Sequence, residues 1–307
     1  MPPVQEPLDP IMPESAFQQA VLIGKYQDGV SRTLTEIASW LTERGVDVAI
    51  ERDTARHGDL PGYAEVSLAE VGARGAGCVA IVVGGDGTML GAARELAPFG
   101  VPLLGINSGR LGFITDIAET DWRQAIGALL GGQFEREQRA VLTGQVLRDG
   151  HCIFAGIAIN DVVVNRSGAT GLVELRVDVD GRPMYVQRAD GLIVATPTGS
   201  TAYSLSAGGP ILHPSLPGLV LVPIAAHTLS NRPIVLPEQV RIDIEIVSHK
   251  DVGVNFDMQH FADLLGGDRV RLEVAAYRAV FLHPPGWSYF TTLRKKLRWH
   301  EILPVED

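Results

Sequence analysis

An uninterrupted apolar run at 78–83 leads directly into Gly84-Gly85-Asp86-Gly87-Thr88 and then into 89–96, where apolar residues recur at helical spacing. A run that is apolar at every position has no solvent face, so it belongs to a strand buried on both sides, as in a parallel sheet covered by crossover helices. The glycine turn therefore joins a strand to a helix, which is the phosphate-binding arrangement. Glycines clear away side chains, and the unpaired N–H groups of the first helical turn meet the anion with the favourable end of the dipole. The aspartate is the odd member, because a carboxylate repels phosphate. Asp86 either caps the helix or does chemistry, taking the proton of an attacking hydroxyl or helping to hold a metal ion. Two familiar phosphate sites are excluded by the letters: the dinucleotide fingerprint needs glycine where Leu90 stands, and no Gly-Lys-Ser or Gly-Lys-Thr of a P-loop occurs anywhere in the chain.

The alternation continues around this turn. Strands are expected at 20–24, 46–51 and 101–106, and helices at 31–41, capped by Ser31 and stopped by Gly45, and at 66–73, which makes an open α/β layer. Beyond about Gln138 strands follow strands. Asp149-Gly150 lies between the runs 142–147 and 151–164, and Asp180-Gly181 between 173–179 and 184–187, both hairpin signals. Further β runs at 219–222, 240–247, 252–256, 270–274 and 279–282 make the second domain mostly β. The stretch 289–300 is helical again and carries Arg294, Lys295, Lys296 and Arg298. The expected organisation is a flexible lead-in over 1–18, an α/β domain over 19–138, a β domain over 139–285 and a tail over 286–307 that packs back on the first domain. At roughly 150 residues per domain, 307 residues suit two domains.

Composition narrows the partners. With 46% hydrophobic and 20% charged residues the chain reads as an ordinary soluble globular protein. Lys plus Arg number 26 against 36 Asp plus Glu, a formal charge of −10 with no long basic run, which argues against nucleic acid or an anionic membrane as main partner. No apolar stretch approaches the roughly 18 residues of a membrane helix, and the start is proline-rich and acidic without a signal core, so a cytoplasmic protein is expected. Cys78 and Cys152 each lie in an apolar run without metal-ligand spacing and read as buried, reduced thiols. His57, His151 and His260 read as surface or packing residues.

Two more clusters carry polar chemistry. In 190–210, the apolar run 192–195 enters a turn rich in small hydroxyls: Thr196, Thr198, Ser200, Thr201, Tyr203, Ser204 and Ser206. Such a loop suits hydrogen bonds to sugar hydroxyls, base edges or phosphate oxygens, although hydroxyl-rich turns are also common as plain turns. Asn160-Asp161 stands just before the run 162–164; its amide can pair with a purine edge and its carboxylate can accept from ribose hydroxyls.

Taken in order, Gly84-Gly85-Asp86-Gly87-Thr88, Asn160-Asp161, Asp190-Gly191 with 196–203, and Arg232-Pro233 with 234–237 resemble the NAD kinases, in particular the bacterial ATP-NAD kinases, from about Ala20 to Trp299. The 190–210 segment is specific to that family, whereas the G-G-D-G-T turn is shared with diacylglycerol-type lipid kinases and is similar to the phosphofructokinase turn. The resemblance implies a phosphofructokinase- and diacylglycerol-kinase-like α/β domain, a β-sandwich domain that binds NAD, and an active site between them. It implies transfer of the γ-phosphate of ATP, with Mg²⁺ or another divalent cation, to the 2′-hydroxyl of the adenosine ribose of NAD, giving NADP. Asp86 is then the general base. Gly84, Gly85 and Gly87 leave room for the triphosphate. Asn160, Thr198, Thr201, Ala202, Tyr203, Ser204, Leu205 and Ser206 hold the adenosine half, Asp161 takes hydroxyls, and Gln259 is a further contact. Arg188 and Asp190 line the other end of the dinucleotide, Arg188 at a position associated with preference for NAD over NADH. The family usually has Asn-Glu at 160–161, so Asp161 reaches one methylene less. A homo-oligomer, dimer or tetramer, is implied as well. The rival readings are a lipid kinase, which gives no reason for the segment 196–203, and a non-catalytic NADP-sensing module, which has no use for Asp86.

Overall fold

The computed structural model describes residues 17–25, 29–58, 60–109, 112–167, 171–227, 230–247 and 251–299; residues 1–16 of the lead-in expected over 1–18, the chain end over 300–307 and the side chain of His260 lie outside them. The first sheet is built on β1 (Gln19–Gly24), β2 (Asp47–Glu51), β3 (Ala64–Val66), β4 (Cys78–Gly84) and β5 (Leu103–Asn107), parallel and in the order β3-β2-β1-β4-β5. Strand β4 is buried at every position, as its apolar run requires. The covering helices are α1 (Val30–Thr42), α2 (Arg52–Gly58), α3 (Leu68–Arg74) and α4 (Asp86–Leu96). Helix α1 lays Leu34, Ile37 and Leu41 against Leu22, Ile81 and Val83 on one face, while α4 lays Met89, Ala93 and Leu96 near Val21, Ala80 and Val82 on the other. The strand order reverses between β1 and β4. A crevice at the carboxyl ends of strands flanking such a point is where open α/β sheets bind ligands, and the Gly84–Asp86 turn lies there.

Local starts and stops differ in detail from the expected ones. Helix α1 begins after Gly29, which takes the left-handed φ of 94°, so Ser31 is already inside the helix and does not cap it. Gly45, with φ 76°, donates its N–H to Thr42 O and ends the turn as expected. The stretch 66–73 divides into the end of β3 and α3, because Ser67 and Glu70 close a capping box at that point.

The first sheet is completed from far along the chain. Ala279–His283 runs parallel beside β5, and Glu135–Arg139 pairs antiparallel with it at the edge. The strand expected at 279–282 thus belongs to the first sheet, a correction to the block 139–285 at its end. Its five positions are all buried, the mark of a strand covered on both faces.

Between these strands lie two six-stranded antiparallel sheets. One contains Ile234–Pro237, Gly218–Ile224, Gly191–Ala195, Asp161–Arg166, Val252–Phe256 and His260–Leu264 in that spatial order. The other contains Arg182–Ala189, Val173–Val179, Ile242–Ile246, Arg269–Val274, Leu142–Arg148 and His151–Ala158. Their inner faces share one core, with Val162, Val164, Leu192 and Val194 among Leu175, Val177, Ile244 and Leu272. Asp149-Gly150 and Asp180-Gly181 both take positive φ, as a two-residue hairpin turn demands. The run 151–164 is not one strand: it breaks at Ile159-Asn160, for a reason that belongs to the site. Cys78 is buried, and burial pushes its thiol up to about 11. Cys152 is exposed, contrary to the expectation for both thiols. Among the described residues no helix is long and apolar enough to cross a membrane.

The terminal helix Tyr289–Leu297 returns to the first domain. Lys296 Nζ lies 5.4 Å from the Phe113 ring of that domain, while Tyr289 packs T-shaped against His213 of the second domain at 5.2 Å between ring centroids.

Candidate active site

Gly85 is the residue before α4, and Asp86 is the first residue inside it. The aspartate does not cap its own helix; its carboxylate is taken by the loop after β5. Phe113 N–H donates to Oδ2 at 2.8 Å, while Ile114 N–H, Thr115 N–H and the Thr115 hydroxyl donate to Oδ1 at 3.2, 3.1 and 2.9 Å. Gly112 makes this approach possible, since a Cβ there would collide with Asp86 Oδ1. A carboxylate offers about four acceptor sites. Three donors occupy Oδ1 and one occupies Oδ2, so Oδ2 keeps capacity for a further hydroxyl. At Gly85 and Gly87 an added Cβ would meet nothing within 4 Å, so the turn opens onto free space beside Asp86.

A cavity of about 260 Å³ joins this turn to the sandwich, lined by Asp86, Leu90, Phe113 and Ile114 on one side and Asn160, Thr198, Thr201 and Ala202 on the other. Five residues singled out in the sequence, Asp86, Asn160, Thr198, Thr201 and Ala202, therefore share one wall-to-wall space. The threonine loop is locked in place from beneath. Thr196 N–H donates to Asn160 O at 2.9 Å, the Thr196 hydroxyl to Ile159 O at 2.6 Å, and the Thr201 hydroxyl to Thr198 O at 3.1 Å. Gly199 is required where it stands, because a Cβ there would run into the Asn160 carbonyl oxygen. Thr198 is buried, and its hydroxyl oxygen accepts from Arg139 Nη1 at 3.2 Å.

The other sequence-derived residues lie around this space rather than on its wall. Tyr203 and Ser206 are exposed on the short helix Tyr203–Ser206, with Leu205 half-buried between them, and Ser204 is fully buried against Gly209. Gly87 O accepts from Gln259 Nε2 at 3.4 Å, which brings Gln259 to the glycine turn. Arg188 is exposed and pairs with Glu174 at 2.7 Å across neighbouring strands; Asp190 pairs with Arg166 at 3.0 Å. Asp161 is 2% exposed, and burial first, then the Asp257 carboxylate, push its carboxyl up to about 7.

Sequence reasoning missed the residue that holds the two halves together. Asp257, with left-handed φ of 50°, is fully buried and accepts from Arg94 Nη1 at 2.8 Å and from the consecutive N–H groups of Ile159, Asn160 and Asp161 at 2.9, 2.8 and 3.2 Å. Those amides face a carboxylate instead of a neighbouring strand, which is why the run 151–164 breaks there. Arg94 lies on α4, eight residues after Asp86, and its Nη2 also donates to Gln259 Oε1. Helix α4 and the Asn160 loop are thereby fastened to one anion. Gly112, Phe113, Ile114 and Thr115 were missed too, and no motif in the sequence marks them. Among the described residues, no three His, Cys, Asp or Glu side chains gather as a metal cage.

Comparison with known proteins identifies the family. Models of the ATP-NAD kinase N-terminal domain and C-terminal domain match residues 21–134 and 159–283. An NAD kinase of Polaromonas sp. strain JS666 is 57% identical over 290 residues, 94% of this chain and 99% of the relative. One of Burkholderia multivorans is 54% identical over 292 residues, 95% of this chain and 97% of the relative. Among solved structures, yeast NADH kinase complexed with NADH superposes with a TM-score of 0.85 at 22% identity, covering 95% of this chain and 90% of that one, a likeness of fold. An NAD kinase from Archaeoglobus fulgidus in complex with ATP gives a TM-score of 0.67 at 26% identity, covering 91% and 98%. With both family models matched and such relatives spanning nearly its whole length, the chain belongs to the NAD kinase family.

Proposed function

We propose that the cavity between the Gly84–Asp86 turn and the threonine loop is where the protein, as an NAD kinase, phosphorylates NAD to NADP, with Asp86 as the general base. The observation that carries this reading is that Asp86, on the α/β domain, shares one space with Asn160, Thr198, Thr201 and Ala202 of the sandwich. A ribose hydroxyl is a poor nucleophile at neutral pH, so a carboxylate within hydrogen-bond reach has to take its proton as the phosphoryl group moves. Oδ2 of Asp86 has the acceptor capacity for that proton, and the donors of 113–115 hold the carboxylate still while it is used. The polar wall of Asn160, Thr198 and Thr201 suits an adenosine half whose 2′-hydroxyl is presented to Asp86.

The open space at Gly85 and Gly87 suits the triphosphate of ATP, with the first N–H groups of α4 available to its oxygens. For a divalent cation the cavity supplies one carboxylate, so the fit is to Mg²⁺ carried by the nucleotide's own phosphates rather than by a protein cage. Bound there, the ion neutralises charge that develops on the transferred group. Arg188 and Asp190 are assigned to the nicotinamide end. A homo-oligomer is part of the proposal, supported by the apolar side chains of Met258, Phe261 and Leu265, each exposed along one hairpin. Incubation of the purified protein with NAD, ATP and Mg²⁺, followed by an enzymatic assay for NADP, tests the function. Absence of NADP from a folded preparation that binds NAD would overturn this reading of the cavity.

A further inference from the structure

We propose that His283 is a positioning residue for the phosphoryl transfer: as an imidazolium shared by Asp116 and Glu137, it fixes the loop that cradles Asp86 relative to Thr198 on the opposite wall of the cavity. The proposal rests on the reading of that cavity as the active site. No motif points to His283, which ends the strand Ala279–His283 far from the signature segments.

The connection can be followed atom by atom. Thr115 donates twice to Asp86, and the next residue, Asp116, meets His283 Nδ1 with Oδ2 at 2.9 Å. On its other side His283 Nε2 meets Glu137 Oε2 at 3.1 Å. The same Glu137 oxygen forms an ion pair with Arg139 Nη2 at 2.7 Å, and Arg139 Nη1 donates to Thr198 Oγ1 at 3.2 Å. His283 and Arg139 are 1% and 2% exposed, so this chain of contacts runs through the interior rather than over the surface. The imidazole is also stacked on Trp287, with 3.9 Å between ring centroids and 11° between planes.

A neutral imidazole has one N–H, and only the cation has two. With a carboxylate on each nitrogen, both contacts are donated hydrogen bonds only in the charged form. Loss of the proton leaves one buried carboxylate facing a lone pair, which releases either the Asp86 loop through Asp116 or the Thr198 side through Glu137. The surroundings favour the cation. Burial alone would push the imidazole down, but its hydrogen bonds to Asp116 and Glu137 hold it above its ordinary value. Glu137 itself, despite burial, is held below the usual carboxylate range by His283 and Arg139. The other charged or titratable groups near this cluster are Glu135, which accepts the Gly286 N–H, Tyr289 beside Glu137 and Arg139, and Lys295, which lines a surface cleft together with Asp116. The order contributed by the cation is complete below the ordinary histidine range and is lost as pH rises through the raised value.

The test is the pH dependence of initial rates of NADP formation for the wild type, His283→Gln and Glu137→Gln. The wild type is expected to show a fall in kcat/KM for NAD on the alkaline side that is absent from His283→Gln. At neutral pH that variant should lose on the order of 10- to 100-fold in kcat/KM, as a displaced reacting group does. In Glu137→Gln, which leaves Asp116 on the ring, the alkaline fall should move to lower pH, and this variant decides the matter if His283→Gln does not fold. A folded His283→Gln with wild-type kcat, KM and alkaline limb, or a Glu137→Gln limb that does not move, overturns the proposal. Full turnover in Asp86→Asn would instead overturn the active-site reading, and this proposal with it.

Discussion

Replacing Arg94 with Met tests the fastening between the two domains. The substitution keeps an unbranched, helix-compatible side chain but leaves the Asp257 carboxylate, which is fully buried, without its cation. Removing one partner of a buried ion pair costs about 3–5 kcal/mol. Asp257 retains the three N–H donors of Ile159, Asn160 and Asp161, so the expected loss is at the lower end, ~3 kcal/mol. Against a total stability of about 5–15 kcal/mol that is a large fraction. Asp257→Leu is expected to be worse, since it strands Arg94 and leaves three buried N–H groups unpaired at about 1–3 kcal/mol each. Urea denaturation followed by circular dichroism would rank the variants, and KM for NAD should rise in Arg94→Met because helix α4, with Asp86, is no longer tied to the Asn160 loop. A loss in Arg94→Met below about 1 kcal/mol, the level of an exposed pair, with KM unchanged, would refute the idea that this buried pair sets the cavity.

Three further outcomes follow from the same geometry. Gly112→Ala should fold with a loss of about 1–3 kcal/mol from overpacking and turn over far more slowly, because the new Cβ must push the 112–115 loop off Asp86; a variant with wild-type rates would show that the cradle is not needed. Asp161 holds a proton in the native state at pH values where an unfolded aspartate has lost it, so stability should fall as pH rises from about 4 to 7. Asp161→Asn should therefore gain at least ~1 kcal/mol more, relative to wild type, at pH 8 than at pH 4 in urea denaturation. Arg188→Gly should cost less than about 1 kcal/mol, its pair with Glu174 being exposed, while raising the NADH-to-NAD activity ratio; an unchanged ratio would remove Arg188 from acceptor selection.

Local chemistry was the legible part of the fold. Strand β4 and the turn after it could be read because an all-apolar run and a glycine cluster are contiguous signals, and the two Asp-Gly hairpins because the turn type dictates the residues. The sequence points to Ser31 rather than Gly29 as the cap of α1, because a side-chain cap is visible in a sequence and a left-handed glycine is not. The strand expected at 279–282 forms, but in the other sheet: position in the chain suggests the sandwich, although its apolar character on both faces fits the parallel sheet. In the site, Asp86, Asn160 and the threonine loop carry their chemistry in their own letters. Asp257, Arg94 and the 112–115 loop act through contacts with residues 27 to 163 positions away. A buried aspartate that takes three backbone N–H groups looks the same in sequence as one on the surface.

The most direct measurement is on Asp86→Asn, with NAD affinity by calorimetry and turnover by NADP formation on the same preparation. An amide whose oxygen takes the place of Oδ1 keeps the donors of Ile114 and Thr115 and gives up only that of Phe113, so the cradle and the cavity should persist. It cannot take a proton from the ribose hydroxyl. Turnover is expected to fall on the order of 10²- to 10⁴-fold while NAD binding stays near that of the wild type. Near wild-type turnover in a variant that still binds NAD would contradict the assignment of Asp86 as the base.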